Sequence, residues 1–240
     1  ALAAVDPRES TMKYLQRANG QLTVGDQRYD LDQYDRVIVV GAGKAGAPMA
    51  QAVETVLGDR ITEGLVVVKT GHVAATDKVE IVEASHPRPD DAGVEAGQRI
   101  LRMANDAGPQ DLVIALLSGG GSALLVAPAA GLSLTDIQDL TEELLACGAT
   151  VDEINCLRKH CSAVKGGQLA RAVAPATLIT LALSDVIGSP LDVIASGPTV
   201  ADQTTWDDAW AIVKRYDLVD KLPKAIIERL EAGRAGEIDD

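Results

Sequence analysis

Arg36-Val-Ile-Val-Val-Gly41-Ala-Gly43-Lys44-Ala-Gly46 is the stretch that decides the fold. Four β-branched residues in a row predict a buried strand, three glycines within six positions predict a tight turn, and Ala47 to Leu57 then reads as helix. Glycine lets the backbone approach an anion closely, and a helix starting there points free N–H groups at it. Gly41, Gly43 and Gly46 are therefore candidate phosphate-binding residues. Lys44 is a candidate for neutralising the phosphate, its plainer alternative being a solvated surface lysine. The letters also match GxGxxG, a weak signal alone. A dinucleotide site wants an Asp or Glu at the end of the next strand to hold the ribose, and Lys69 stands there.

The same apolar signature recurs at Leu65 to Lys69, Val79 to Glu83, Leu112 to Leu117 and Thr177 to Leu183. Runs that are apolar on both faces belong in a parallel sheet covered on both sides. Helical stretches alternate with them: Ala47 to Leu57, Asp91 to Ala107, and a long region from Leu134 to Ala172. The alternation predicts an α/β fold with a doubly wound, mostly parallel, Rossmann-like sheet flanked by helices. Ser133-x-x-Asp136 and Thr150-x-x-Glu153 read as capping boxes, while Gly148 and Gly166-Gly167 read as breaks. After Thr199 only helices are expected, Thr205 to Tyr216 and Pro223 to Glu231. Residues 1–232 are read as one domain, and the small, acidic residues 233–240 as a linker to a further domain.

Composition narrows the function. Hydrophobic residues make up 47% of the 240, enough for a packed core, yet there is no Phe and the aromatic fraction is 2%. A net charge of −13 with few aromatics argues against nucleic acid, which calls for basic side chains and stacking platforms. No apolar run is long enough for a membrane span. Cys147, Cys156 and Cys161 form no CxxC pair, and the chain opens without a signal segment, so a reducing cytoplasm is expected. Cys156, His160 and Cys161 could fall together on a helix, but a fourth zinc donor is missing.

Three further constellations carry chemistry. Ser118-Gly119-Gly120-Gly121-Ser122 follows a buried strand, where successive amides and flanking hydroxyls form an anion nest or, more plainly, a tight turn. Asn155, Arg158 and Lys159 recur at about one helical turn, with Lys165 beyond them, so some face one cleft, where Arg binds a carboxylate or phosphate with two parallel bonds. Ser184-Asp185 lies just past the last strand, and Ser196-Gly197-Pro198-Thr199 follows. An Asp in that position holds Mg²⁺, takes a proton from a hydroxyl, or merely caps a helix. His86, in a proline-braced loop after the third strand, could line the same edge.

Taken in order, GAGKAGAPMA (41–50), SHPRPDDAG (85–93), SGGGSALL (118–125), GLSLTDIQDLT (131–141), EINCLRKHCSAVKGGQLA (153–170) and LSDVIGSPLDVIASGPT (183–199) resemble the N-terminal domain of the class II glycerate kinases. The resemblance runs from about Ala3 to about Leu230. It implies transfer of the γ-phosphoryl of ATP, with Mg²⁺, to D-glycerate, giving 2-phosphoglycerate in a cleft closed by a C-terminal domain that this chain lacks. Carried onto these residues, it implies that Lys44, Arg158 and Asp185 are catalytic, with Asp185 on the metal and the glycine turns on phosphate or substrate. Two rivals stay open: an NAD(P)-dependent hydroxypyruvate reductase and a non-catalytic sugar-phosphate-binding module.

Overall fold

All five apolar runs become strands of one parallel sheet in the computed structural model, which describes residues 6–184 and 191–238. They are β4 (Arg36–Ala42), β5 (Ile61–Lys69), β6 (Val79–Ala84), β7 (Asp111–Ser118) and β8 (Thr177–Leu183), ordered β6-β5-β4-β7-β8. Successive residues of a strand point to opposite faces, so the apolar runs feed two layers. Val37, Val39, Val66, Val68, Ile114 and Leu116 pack on one side, under α2 (Gly46–Leu57). Ile38, Val40, Leu65, Val67, Val113 and Ala115 pack on the other, under α3 (Asp91–Asn105) and α7 (Gln168–Val173). All eight residues of β7 are buried, each large aliphatic one contributing about 1.5–3 kcal/mol.

The direction of winding reverses between β4 and β7. From β4 the chain moves outward through α2 to β5 and β6, then crosses back through α3 to β7 on the other side of β4. At such a reversal the connections leave in opposite directions, and a crevice opens beyond the carboxyl ends of the strands. The opposite end is closed: Arg36 and Asp111, which face each other in register, make a two-pronged ion pair with Nε–Oδ1 at 3.1 Å and Nη2–Oδ2 at 2.6 Å. That guanidinium holds the Asp111 carboxyl below the usual range.

An element absent from the expected order precedes the sheet. After α1 (Pro7–Met12), strands β1 (Leu15–Ala18), β2 (Gln21–Val24) and β3 (Gln27–Asp30) form an antiparallel meander, whose Leu15 and Leu22 join the layer under α2. Two-residue turns, Asn19-Gly20 and Gly25-Asp26, close its hairpins; Asn19, Gly20 and Gly25 have φ of 50°, 78° and 57°, as tight turns require.

The long helical region is three helices: α5 (Leu134–Ala146), α6 (Val151–His160) and α7, separated at Gly148 and Gly166-Gly167, all with positive φ. Both expected capping boxes are present, and Thr205 with Asp208 makes a third at α8 (Trp206–Arg215). Helices α5, α6, α8 and α9 (Lys224–Arg234) share a separate core around Leu140, Leu157, Val213 and Leu230. Gly233 and Arg234, expected in the linker, belong to α9 instead. Gly233 is buried where any side chain would overlap the Trp206 ring. Among the described residues, no helix is long and apolar enough to cross a membrane.

Candidate functional site

Two glycine turns, one loop and two cations, Lys165 buried and Arg158 half-buried, meet at the carboxyl end of the sheet. The turn between β4 and α2 is held tightly by its neighbours. A Cβ at Gly41 would overlap the Leu116 carbonyl, one at Gly43 would overlap Ser118, and one at Gly46 would stand 2.6 Å from Val66 Cγ1. Its amides are engaged within the chain. Gly43 donates to the Val67 carbonyl at 3.0 Å, Lys44 to Gly119 at 2.9 Å, Ala45 to Ser118 Oγ at 3.1 Å and Gly46 to Gly43 at 3.0 Å. Gly41, Gly43 and Gly46 thus serve close packing, and the free amides the sequence predicts here are taken. What the turn does present is the Lys44 side chain, which is exposed.

The turn after β7 is the open one. Gly120 has φ +84°, and the four-residue helix α4 (Gly121–Leu124) that it precedes has no side-chain cap. Among the described residues, the amides of Gly120, Gly121 and Ser122 make no hydrogen bond to another segment. Gly119 is turned inward, its carbonyl taken by Lys44, and Ser118 is buried as the acceptor for Ala45.

Lys44 and His86 meet over this turn. A Cβ at Gly120 would lie 3.1 Å from His86 Nε2 and 3.2 Å from Lys44 Cε, so bare glycine is what lets an ammonium chain and an imidazole close on one backbone atom. Burial, then the charges of Lys44 and Lys69, push the His86 pKa down, leaving a neutral ring at pH 7. The loop is braced by Asp90, whose carboxylate accepts from Ser85 N–H at 3.0 Å and Gly93 N–H at 2.9 Å. Asp90 was not among the expected site residues, although an Asp just ahead of a helical run is a legible N-cap signal.

A second wall descends from α6. Ser196 is fully buried and donates to Asn155 Oδ1 at 2.9 Å, which makes Ser122 the donor in the 2.9 Å contact between the two serine hydroxyls. Ala195, Ser196 and Gly197 have φ of 53°, 60° and 60°. For Ala and Ser that conformation costs about 1–2 kcal/mol each, retained here to aim Ser196 inward. Gly197 itself is a packing residue, 2.9 Å from Asp192 Cα were it to carry a Cβ. Arg158 and Lys165 line a small cavity with Ser122, Ser162 and Thr141. Lys165 Nζ is buried and donates to the Leu125 carbonyl at 2.5 Å; burial first, then Arg158, push its pKa down to about 7. Burial likewise pushes Arg158 down.

Other expected residues lie apart. Lys159 is paired with Asp202 at 3.0 Å in a different groove, lined also by Trp206 and Arg229. Thr199 is half-buried and its side chain makes no hydrogen bond to described residues, while Ser184 is exposed. Asp185, the candidate for metal and proton, lies outside the described residues. The cysteines are free thiols; burial raises Cys156 to about 11 and Cys161 to about 12, so both are protonated packing residues at neutral pH.

Comparison with known proteins bears on what this crevice serves. A relative in Agrobacterium vitis, named for a hydroxypyruvate reductase, is 52% identical over 200 residues, covering 83% of this chain and 51% of its own. A glycerate 2-kinase of Pyrococcus horikoshii is 38% identical over 240 residues, covering 100% of this chain and 53% of its own. The crystal structure of a glycerate kinase from Thermotoga maritima superposes with a TM-score of 0.81 at 40% identity, covering 95% of this chain and 52% of that one. The chain spans about half the length of the curated relatives it matches. Residues 1–231 match the model of a domain of unknown function, DUF4147, and the chain belongs to that family, the N-terminal domain of the glycerate kinase relatives.

Proposed function

We propose that this chain forms one wall of the active site of an ATP-dependent D-glycerate kinase producing 2-phosphoglycerate, and that a second domain, reached through the residues after Arg234, supplies the other wall. The observation that carries this is the meeting of Lys44, His86 and the open Ser118–Ser122 turn at the point where the sheet reverses. Phosphoryl transfer asks a protein to position and neutralise rather than to form bonds. The amides of Gly120, Gly121 and Ser122 hold phosphate oxygens, Lys44 offsets their charge, and neutral His86 offers a hydrogen bond at the same edge. Arg158 adds a second positive charge across the cleft.

The γ-phosphoryl moves from ATP to the 2-hydroxyl oxygen of glycerate, the bond to ADP breaks, and the hydroxyl proton passes to a base. Asp185 is the candidate for that base or for the protein ligand of Mg²⁺. Among the described residues no group of three His, Cys, Asp or Glu gathers into a metal site. Bound with ATP, Mg²⁺ would neutralise charge on the phosphates. ATP as co-substrate agrees with a cytoplasmic location.

The names of the Pyrococcus and Thermotoga relatives support the kinase. The reductase named among the relatives is disfavoured by two features of this chain. Lys69 ends β5 where a dinucleotide ribose needs a carboxylate, and the amides a pyrophosphate would use at the start of α2 are already engaged. The test is to assay the full-length protein with ATP and D-glycerate, coupled through enolase, which consumes 2-phosphoglycerate, and separately with NAD(P)H and hydroxypyruvate. Nucleotide-dependent reduction without ATP turnover would replace the kinase by the reductase; binding without either reaction would leave a sugar-phosphate module.

A further inference from the structure

We propose that the small cavity beside α6 is the seat of the substrate's carboxylate, with the Arg158 guanidinium as its chief donor, and that the open glycine turn is reserved for the phosphoryl group. The identity of the acid rests on the kinase reading; the charge that the seat takes does not.

Arg158 is half-buried and lines the cavity, yet among the described residues its guanidinium makes no hydrogen bond and no ion pair. Its neighbours differ. Lys159 has Asp202 at 3.0 Å, and Arg229 donates to the His160 carbonyl at 2.7 Å while lying over the Trp206 ring. A desolvated cation without an acceptor is unfavourable, and the Lys165 ammonium beside it makes the spot more so. Among the described residues, no Asp or Glu lines the cavity. A guanidinium without an acceptor among the described residues, set beside a lysine whose own acceptor is a neutral carbonyl, makes a seat for an anion.

Size and position choose the anion. The cavity measures about 20 Å³, room for roughly one water-sized group, so it admits the head of a carboxylate at the Arg158 fork and not a polyphosphate chain. Ser122 belongs to both seats, its side chain lining the cavity and its amide lying in the open turn. A 2-hydroxy acid with its carboxylate in the cavity has the 2-hydroxyl as the next oxygen toward that turn. Choice of the 2-hydroxyl over the 3-hydroxyl then follows from where the carboxylate is held.

The experiment is calorimetric titration of the full-length protein with D-glycerate, with its neutral amide glyceramide, and with ATP. Wild type is expected to prefer D-glycerate over glyceramide by about 30-fold, the worth of a charge-assisted pair. Arg158→Met should abolish that preference while ATP affinity changes less than about threefold. If Arg158→Met does not fold, Arg158→Lys, which keeps the charge and loses the fork, should cut the preference to about one third. The seat is overturned if wild type binds glyceramide as tightly as D-glycerate, if the folded variants keep the full preference, or if ATP affinity falls in step with D-glycerate affinity. Arg158-dependent D-glycerate binding without ATP-dependent turnover would refute the kinase reading and leave the seat standing.

Discussion

Two glycine turns lie side by side at the ends of β4 and β7, and they use glycine for opposite purposes. In Gly41-Ala-Gly43-Lys44-Ala-Gly46 the missing side chains let strands and helix touch, and successive amides are engaged within the protein. In Ser118-Gly119-Gly120-Gly121-Ser122 the central glycine is bare where Lys44 and His86 converge, and the following amides make no hydrogen bond to another segment among the described residues. The turn that looks most like a nucleotide motif thus has its amides engaged within the chain, and the plainer one is the turn proposed to face the ligand. The partners of the amides, more than the spacing of the glycines, decide which turn can receive an anion.

The sharpest way to break this contrast is to add one methyl group to each turn. Gly41→Ala is expected to cost about 4 kcal/mol or more, or to prevent folding, because its Cβ meets a main-chain carbonyl of a fully buried strand that cannot move away. Urea unfolding followed by circular dichroism would measure it, and a loss under about 1 kcal/mol would remove the packing role.

Lys44→Ala should do the reverse. The side chain is exposed, so the melting temperature should hardly move, while turnover of the full-length protein should fall about 100-fold or more, the scale of losing a preorganised charge in phosphoryl transfer. Activity within about threefold of wild type would leave Lys44 as a surface lysine.

Gly120→Ala should fall between the two. A residue at φ +84° costs about 1–2 kcal/mol, and its methyl must displace the His86 ring and the Lys44 chain at 3.1 and 3.2 Å. The protein should fold, with affinity for ATP reduced about tenfold or more, as when a charge-assisted contact is lost. Wild-type affinity in this variant would make both turns structural.

The smallest effect is a pH dependence. Because the His86 pKa is lowered in the folded protein, the unfolded chain takes up its proton first as pH falls below the ordinary value of about 6.5. The stability that neutral His86 contributes is present above that value and is lost as pH falls toward the folded pKa. Wild type should therefore lose stability slightly faster than His86→Asn below it, and parallel curves would show that His86 is not desolvated at the turn.

Strands with unbroken apolar runs were legible because a sheet covered on both sides leaves no polar position in them. Helix starts at Ser133 and Thr150 were legible because a capping box is local chemistry, complete within four residues. The N-terminal meander was not anticipated: β1 buries only Leu15, and β3 is largely exposed, so its strands show little apolar alternation. Its signal was in the turns, Asn19-Gly20 and Gly25-Asp26. Residues of the site were found as types, Lys44, His86, Ser122, Asn155, Arg158, Lys165 and Ser196, but not as an arrangement. Arg158 and Lys159 are adjacent and chemically alike in sequence, yet one lines a cavity with no partner among the described residues and the other is paired in a different groove.

By itself the sequence determined the layers, the parallel sheet, the helix starts and the presence of glycine turns, since each follows from side-chain periodicity or from contacts within one turn of chain. Only the tertiary structure decided which turn is engaged and which is not, because the acceptors for Gly43, Lys44 and Ala45 come from β5, the residue after β7 and β7 itself, at least 24 positions away. It alone decided that Lys44 and His86 meet at Gly120 and that Arg158 has no acceptor among the described residues. Hydrogen-bond satisfaction in a packed interior depends on every neighbouring segment, and no local pattern of residues contains that information.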